Sequence, residues 1–217
     1  MTHTLLPLAY AGPISHWVPI CKQQPILWEV EDFYQKQTYR NRMEIHAANG
    51  KLMLSIPIKH LGYDGHQNYK DVQIANEFPW RRNHWLSLKT AYQSSPFFEY
   101  YEDDIAPLYQ DRFESLLAFN ILVMKTICEL LQIQAPQETT KTYEKDSPHH
   151  DLRHLIDAKT TKVTTACEYT QVFSDKNGFI PDLSILDLLF NNGPETVSLL
   201  QSLSLIHISE PTRQLQI

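Results

Sequence analysis

Three cations, Lys36, Arg40 and Arg42, stand close together beside the phenols Tyr34 and Tyr39. Arg40 and Arg42 share a face if the segment is a strand. Two guanidiniums side by side can grip a diphosphate bidentately, which an ammonium cannot do. Asn41 then points the other way and supports the backbone. The same arginines also have a structural reading, as partners of Glu29, Glu31, Asp32 or Glu44 in an ion network, because such networks perturb charged groups much as sites do. Gly12 offers a second anion contact: Ala11-Gly12-Pro13 breaks one element and opens a helix, whose first N–H groups favour negative charge.

His84 is the candidate proton carrier. It stands at helical distance from Trp80 and Leu88, and an imidazole facing a cleft serves as a general base near neutral pH, with Trp85 stacking on a sugar or a base. The alternative is a packed histidine among core aromatics. Tyr100 belongs to an aromatic series, Phe97, Phe98, Tyr100, Tyr101 and Tyr109, interspersed with Glu99, Glu102, Asp103 and Asp104. Acids next to phenols suit sugar hydroxyls, although such a segment also serves to cover a core. His149, His150 and His154 contain an i, i+4 pair that a helix could turn toward a metal, but the Glu of a zincin helix is missing, and no metal or cofactor is expected. Without a glycine-rich phosphate loop, a serine elbow or a cysteine in a catalytic context, covalent and phosphoryl-transfer mechanisms have no support.

The elements that must position these residues follow from periodicity. Leu5 to Tyr10 reads as a strand, Ile14 to Ile20 as a helix and Ile26 to Val30 as a second strand, a β-α-β opening with a parallel pair. Asn49-Gly50 between alternating runs signals a hairpin with a type I′ turn. His60 to Asn68 reads as a loop and Asp71 to Ile74 as a short strand; Trp80 to Tyr92 has helical spacing. Asp111 to Ile133 is the clearest helix, with apolar residues on more than one face. Ala135 to Pro148 is a polar loop, Thr164 to Phe173 a strand with a short helix, and Ser184 to Phe190 a helix stopped by Asn192-Gly193-Pro194 before a last turn from Glu195 to Leu200.

The C-terminus is set apart from this scheme. Leu203 to Arg213 matches, residue for residue, the translation of a transposase-end sequencing adapter, so 203–217 is excluded from the fold and the natural sequence is expected to end near Ser202. Residues 1–202 then form one domain, long enough for a well-formed core. The net charge of -6 argues against a general nucleic-acid binder. Three cysteines, far apart and unpaired in spacing, fit a reducing cytoplasm. No signal-peptide start and no run of membrane-spanning length is present.

Four blocks give the chain a family resemblance: Tyr10 to Ile14; Tyr34 to Arg42 with Gly50 and Leu54 to Pro57; Trp80 to Trp85 with Tyr92 and Ser95 to Tyr101; and Tyr169 to Phe173 with Gly178 to Phe190. Together they span nearly all of residues 5–195, and they resemble the WbqC-like proteins of bacteria, named for a member encoded in an O-antigen gene cluster. Leu6-Pro7 stands where many members carry Gln-Pro or His-Pro. The resemblance implies a cell-envelope polysaccharide context and no settled reaction. The expectation is therefore an α/β single domain with an N-terminal β-α-β unit, a β-hairpin and a helical C-terminal half. Its expected function is that of a cytoplasmic transferase-like enzyme holding a nucleotide sugar or other phosphorylated substrate through Lys36, Arg40, Arg42 and the helix start at Gly12, with His84 as proton carrier. The alternative is a non-catalytic binding or scaffold protein whose cationic face docks an anionic partner.

Overall fold

β1 (Thr4–Pro7), α1 (Ile14–Cys21) and β2 (Ile26–Glu29) form the expected β-α-β unit. The two strands are parallel, in register from Thr4 opposite Ile26 to Pro7 opposite Glu29. A computed structural model describes residues 2–59, 67–159 and 168–203. Every residue of α1 is buried, as an all-round apolar helix requires. Successive strand residues point to opposite faces, so Leu6 and Trp28 join α1 in the main core while Leu5 and Leu27 face the other way.

A third strand, β5 (His150–Asp151), pairs in parallel with β1 on its free side, giving the order β2-β1-β5. Two residues carry no periodicity, which is why the sequence conceals this strand. The polar stretch before it is a loop as expected, but it runs beside the sheet: Trp28 N–H donates to the carbonyl of Glu138, and Thr140 N–H to that of Trp28.

β3 (Arg42–Ala47) and β4 (Gly50–Ser55) make the antiparallel hairpin, with Ala47 opposite Gly50. The turn differs from the type I′ form. Positive φ is confined to Gly50, at 99°, and neither Ala48 nor Asn49 adopts it. Ala48-Asn49 therefore turn with ordinary φ, and Gly50 absorbs the left-handed residue that follows such turns.

Helices make up the second half: α2 (Trp80–Tyr92), α3 (Phe98–Ile105), α4 (Leu116–Leu130), α5 (Ser174–Asn177), α6 (Ile185–Asn192) and α7 (Thr196–Ser202). α4 begins five residues later than its apolar spacing suggests, because residues ahead of it are engaged elsewhere: Ile74 N–H donates to Glu114, and Gln73 bridges Ser115. The Ser115 hydroxyl then caps the helix by accepting from Ala118 N–H. The strand expected at Asp71 to Ile74 shrinks to a 3-10 turn, Tyr69–Asp71, and isolated bridges. Most of the loop at His60 to Asn68, the start of the segment at Thr164 to Phe173, and the C-terminal stretch from Ser204 onward lie outside the described residues.

The result is a mixed α/β single domain. Cys21 and Cys128 are free and buried, and burial pushes both thiols up to about 12, so neither is a ready nucleophile. Among the described residues no helix is long and apolar enough to cross a membrane. The C-cap Gly193 has φ of 52°, and a Cβ built there would lie 2.5 Å from the Phe97 ring. Gly193→Ala is therefore expected to lower unfolding free energy by about 2 kcal/mol or more, read by denaturant titration; an unchanged midpoint would refute this packing.

Candidate functional site

In open parallel sheets ligands collect at the carboxyl ends of the strands, where neighbouring connections diverge. Here β2 and β5 flank β1 on opposite sides, and the segments leaving β1, β2 and β5 carry Tyr10 to Gly12, Asp32 and Arg153 to that end. Arg40 meets Asp32 there in an ion pair whose side chains are 2% and 6% exposed. Its guanidinium lies over the Tyr69 ring at 5.2 Å. Asn120 ties the group down, with Nδ2 donating to the Arg40 carbonyl and to the Tyr69 hydroxyl, both at 2.7 Å. Burial pushes the Asp32 carboxyl up to about 6 against the pull of Arg40, so both partners are charged at neutral pH. The sequence left Arg40 open between ligand grip and ion network, and Arg40 is engaged by Asp32. It also precedes β3 instead of sharing a strand face with Arg42.

Arg42 is placed differently. It opens β3 opposite Ser55, half-buried, and among the described residues it has no carboxylate partner; its Nε is buried without a hydrogen bond. Tyr34 lies where both guanidiniums act: burial raises its phenol, while Arg42 and then Arg40 draw it down. The Tyr34 hydroxyl donates to Asn41 Oδ1 at 2.9 Å, and Asn41 Nδ2 donates to the Ile56 carbonyl. Asn41 thus supports the backbone, and Tyr34 is fixed beside Arg42. Lys36 is exposed two residues along the same segment.

The helix start after Gly12 is already occupied by one of the chain's own carboxyl groups. Ser15 N–H and Oγ donate to the two oxygens of Asp182 at 2.8 and 3.0 Å, while Ile14 N–H is taken by the Leu183 carbonyl. Burial pushes Asp182 up to about 7, opposed by the Ser15 donors. Gly12 serves packing, since a Cβ there would meet Ala9 Cβ at 2.9 Å and His16 Nδ1 at 3.0 Å. A phosphate would have to displace Asp182 to use these N–H groups, which corrects the expectation of a free helix start.

His84 lies inside an aromatic cluster. Its Nδ1 and the Tyr10 hydroxyl are 2.9 Å apart, Tyr10 in turn reaches the Tyr109 hydroxyl, and the Trp80 ring packs edge-on at 5.3 Å. Burial lowers its pKa to about 4, so it is neutral at pH 7 and enclosed. Trp85 is stacked against Phe98 and Tyr109. Tyr100 is exposed and lines a groove of about 460 Å³ with Glu129, Pro194 and Gln201; neither Arg42 nor Lys36 lines that groove. His150 is in β5 and His154 in a 3-10 turn, so their helical spacing is not realised. No metal-holding group of three or more His, Cys, Asp or Glu occurs among the described residues.

One buried network carries no periodic signal in the sequence. Asp187, fully buried in α6, accepts from Tyr92 Oη at 2.6 Å, Tyr169 Oη at 2.5 Å and Gln171 Nε2 at 3.0 Å, and Gln171 Oε1 meets His46 Nδ1 at 3.1 Å. Its signal was a lone acid within the apolar run Ile185 to Phe190, since a buried carboxylate needs donors gathered around it.

Two tests follow. Arg40→Ala leaves Asp32 buried without its ion pair and is expected to cost roughly 3 to 5 kcal/mol, much of it recovered when Asp32 is also replaced by Asn; equal losses in the single and double variants would contradict the pairing. His84 has a folded pKa below its unfolded value, so its contribution is present above about 6.5 and is lost as pH falls toward about 4. His84→Asn should therefore be less stable than the parent at pH 7, with the gap closing by roughly 3 kcal/mol between those pH values. A gap independent of pH would rule out the neutral, enclosed imidazole.

Comparison with known proteins gives the chain a family. The model for the WbqC-like protein family matches residues 26–163 and 153–199. The uncharacterized protein Rv1507c of Mycobacterium tuberculosis is 26% identical over 199 residues, an alignment covering 75% of this chain and 81% of that protein. No solved structure matches. On the strength of a match running through the hairpin, the helical half and the buried network, this chain belongs to the WbqC-like protein family.

Proposed function

We propose that the protein binds the phosphate-bearing end of a nucleotide sugar, or of another phosphorylated glycan precursor, and acts as a transferase in a cytoplasmic step of cell-envelope polysaccharide synthesis. One observation carries this reading: Arg42 holds a half-buried guanidinium beside Tyr34 with no carboxylate partner among the described residues. A partly desolvated cation without a counter-ion favours an anionic ligand. Lys36 adds a second positive charge, and the Asp32–Arg40 pair beneath keeps the segment stiff. In a transfer reaction the same cations stabilise the negative charge that builds on the departing diphosphate, an electrostatic contribution that needs no covalent intermediate.

A second reading, non-catalytic docking of an anionic partner, is favoured by the enclosure of His84. An imidazole bonded to Tyr10, packed against Trp80 and only 5% exposed is poorly placed to meet a reacting hydroxyl.

Isothermal titration with uridine diphosphate sugars and with inorganic diphosphate tests the binding step. Saturable binding is expected, weakened about tenfold or more in Arg42→Ala, since hydrogen bonds to charged groups contribute roughly 1.5 to 3 kcal/mol. Absence of binding by every phosphorylated compound, or full binding by Arg42→Ala, would refute the site. Turnover of a bound donor separates the transferase from the docking protein.

A further inference from the structure

The sheet face turned away from α1 carries a cavity that the anion site does not use. Its floor is Leu5 and Leu27, opposed across β1 and β2, and Glu29 closes one end. Its wall is the loop segment with Thr139, Thr140, Thr142 and Ser147, to which Lys141, Glu144 and His149 also contribute, and the volume is about 270 Å³. Glu29 is 1% exposed. Its Oε1 accepts from Thr140 Oγ1 at 2.8 Å and Glu31 N–H at 3.0 Å, whereas Oε2 has no hydrogen-bond donor and only a longer approach, 3.6 Å, from Arg153 Nη1.

We propose that this cavity is a binding site for a neutral, hydroxyl-rich six-membered ring, a pyranose or a cyclic polyol. Three features select that class. The volume is below that of pockets for drug-sized ligands and suits a single ring. Two leucines offer an apolar floor for the C–H face of such a ring, while the Thr139 and Thr142 hydroxyls on the wall can both donate and accept. Glu29 Oε2 is a buried acceptor in need of a donor, since Arg153 is held by Asp151 at 2.6 Å and comes no nearer than 3.6 Å to Glu29, and a ring O–H can supply that donor.

This inference does not depend on phosphate binding at Arg42. The cavity is on the opposite sheet face from α1 and its probe carries no charge, so either site can fail alone. The test is saturation-transfer NMR on the full chain with methyl glucoside, methyl galactoside, methyl mannoside and myo-inositol, beside glucosamine as a charged control. Saturation transfer to at least one neutral ring is expected, with shifts at the Leu5 and Leu27 methyls. Glu29→Gln should weaken binding by about ten- to hundredfold. Leu27→Trp, which fills the floor from a half-buried position, should abolish it while cooperative melting is kept, and this variant decides the matter if Glu29→Gln fails to fold. No transfer to any neutral ring, transfer undiminished in Leu27→Trp, or a response to glucosamine alone would each overturn the assignment.

Discussion

The buried pair between Asp32 and Arg40 is the constraint around which the strand ends are arranged. Neither ion is stable alone at that depth: removing water from one charge costs several kcal/mol, and only a close counter-charge with further donors offsets it. The structure meets part of the requirement: Tyr69 lies beneath the guanidinium and Asn120 fixes both the Arg40 carbonyl and the Tyr69 hydroxyl, while Asp32 Oδ1 and Arg40 Nε are buried without hydrogen bonds. Asp32 leaves β2, Arg40 leads into β3 and Asn120 belongs to α4, so one polar centre ties the parallel sheet, the hairpin and the helical half together. Arg42 and Tyr34 are held against this fixed point.

The same logic recurs at two other acids, one half-buried and one fully buried. Asp182 accepts from the first turn of α1 and so joins the segment before α6 to the β-α-β unit. Asp187 collects two phenols and an amide from two parts of the chain, α2 and the segment with Tyr169 and Gln171. In each case a carboxyl is matched by donors from distant sequence, which gives the packing a specificity that apolar contacts alone do not supply. These carboxyls also use up groups that would otherwise look like ligand sites, the start of α1 foremost.

Much of the fold was legible because it is written in short-range signals. Gly12-Pro13 ahead of an apolar segment marked the first crossover, and Asn49-Gly50 marked the hairpin even though its turn proved to be of another type. What depended on long-range pairing was not legible. β5 has two residues and exists only because β1 offers a free edge, and α4 starts late because Val72 to Ile74 engage the residues before it. The candidate site divides along the same line. The sequence brought Arg40 and Arg42 to attention as a pair, but only the tertiary placement of Asp32 distinguishes them, and His84 could not be assigned until its neighbours Tyr10 and Tyr109 were known.

Two arginines divide the labour, one spent on the interior and one open to an anion. A crystal structure with a bound uridine diphosphate sugar tests this division most directly. The diphosphate should contact Arg42 and Lys36 while Arg40 remains on Asp32. A diphosphate held by Arg40 after it has left Asp32, or one seated against residues remote from Tyr34, would contradict the account.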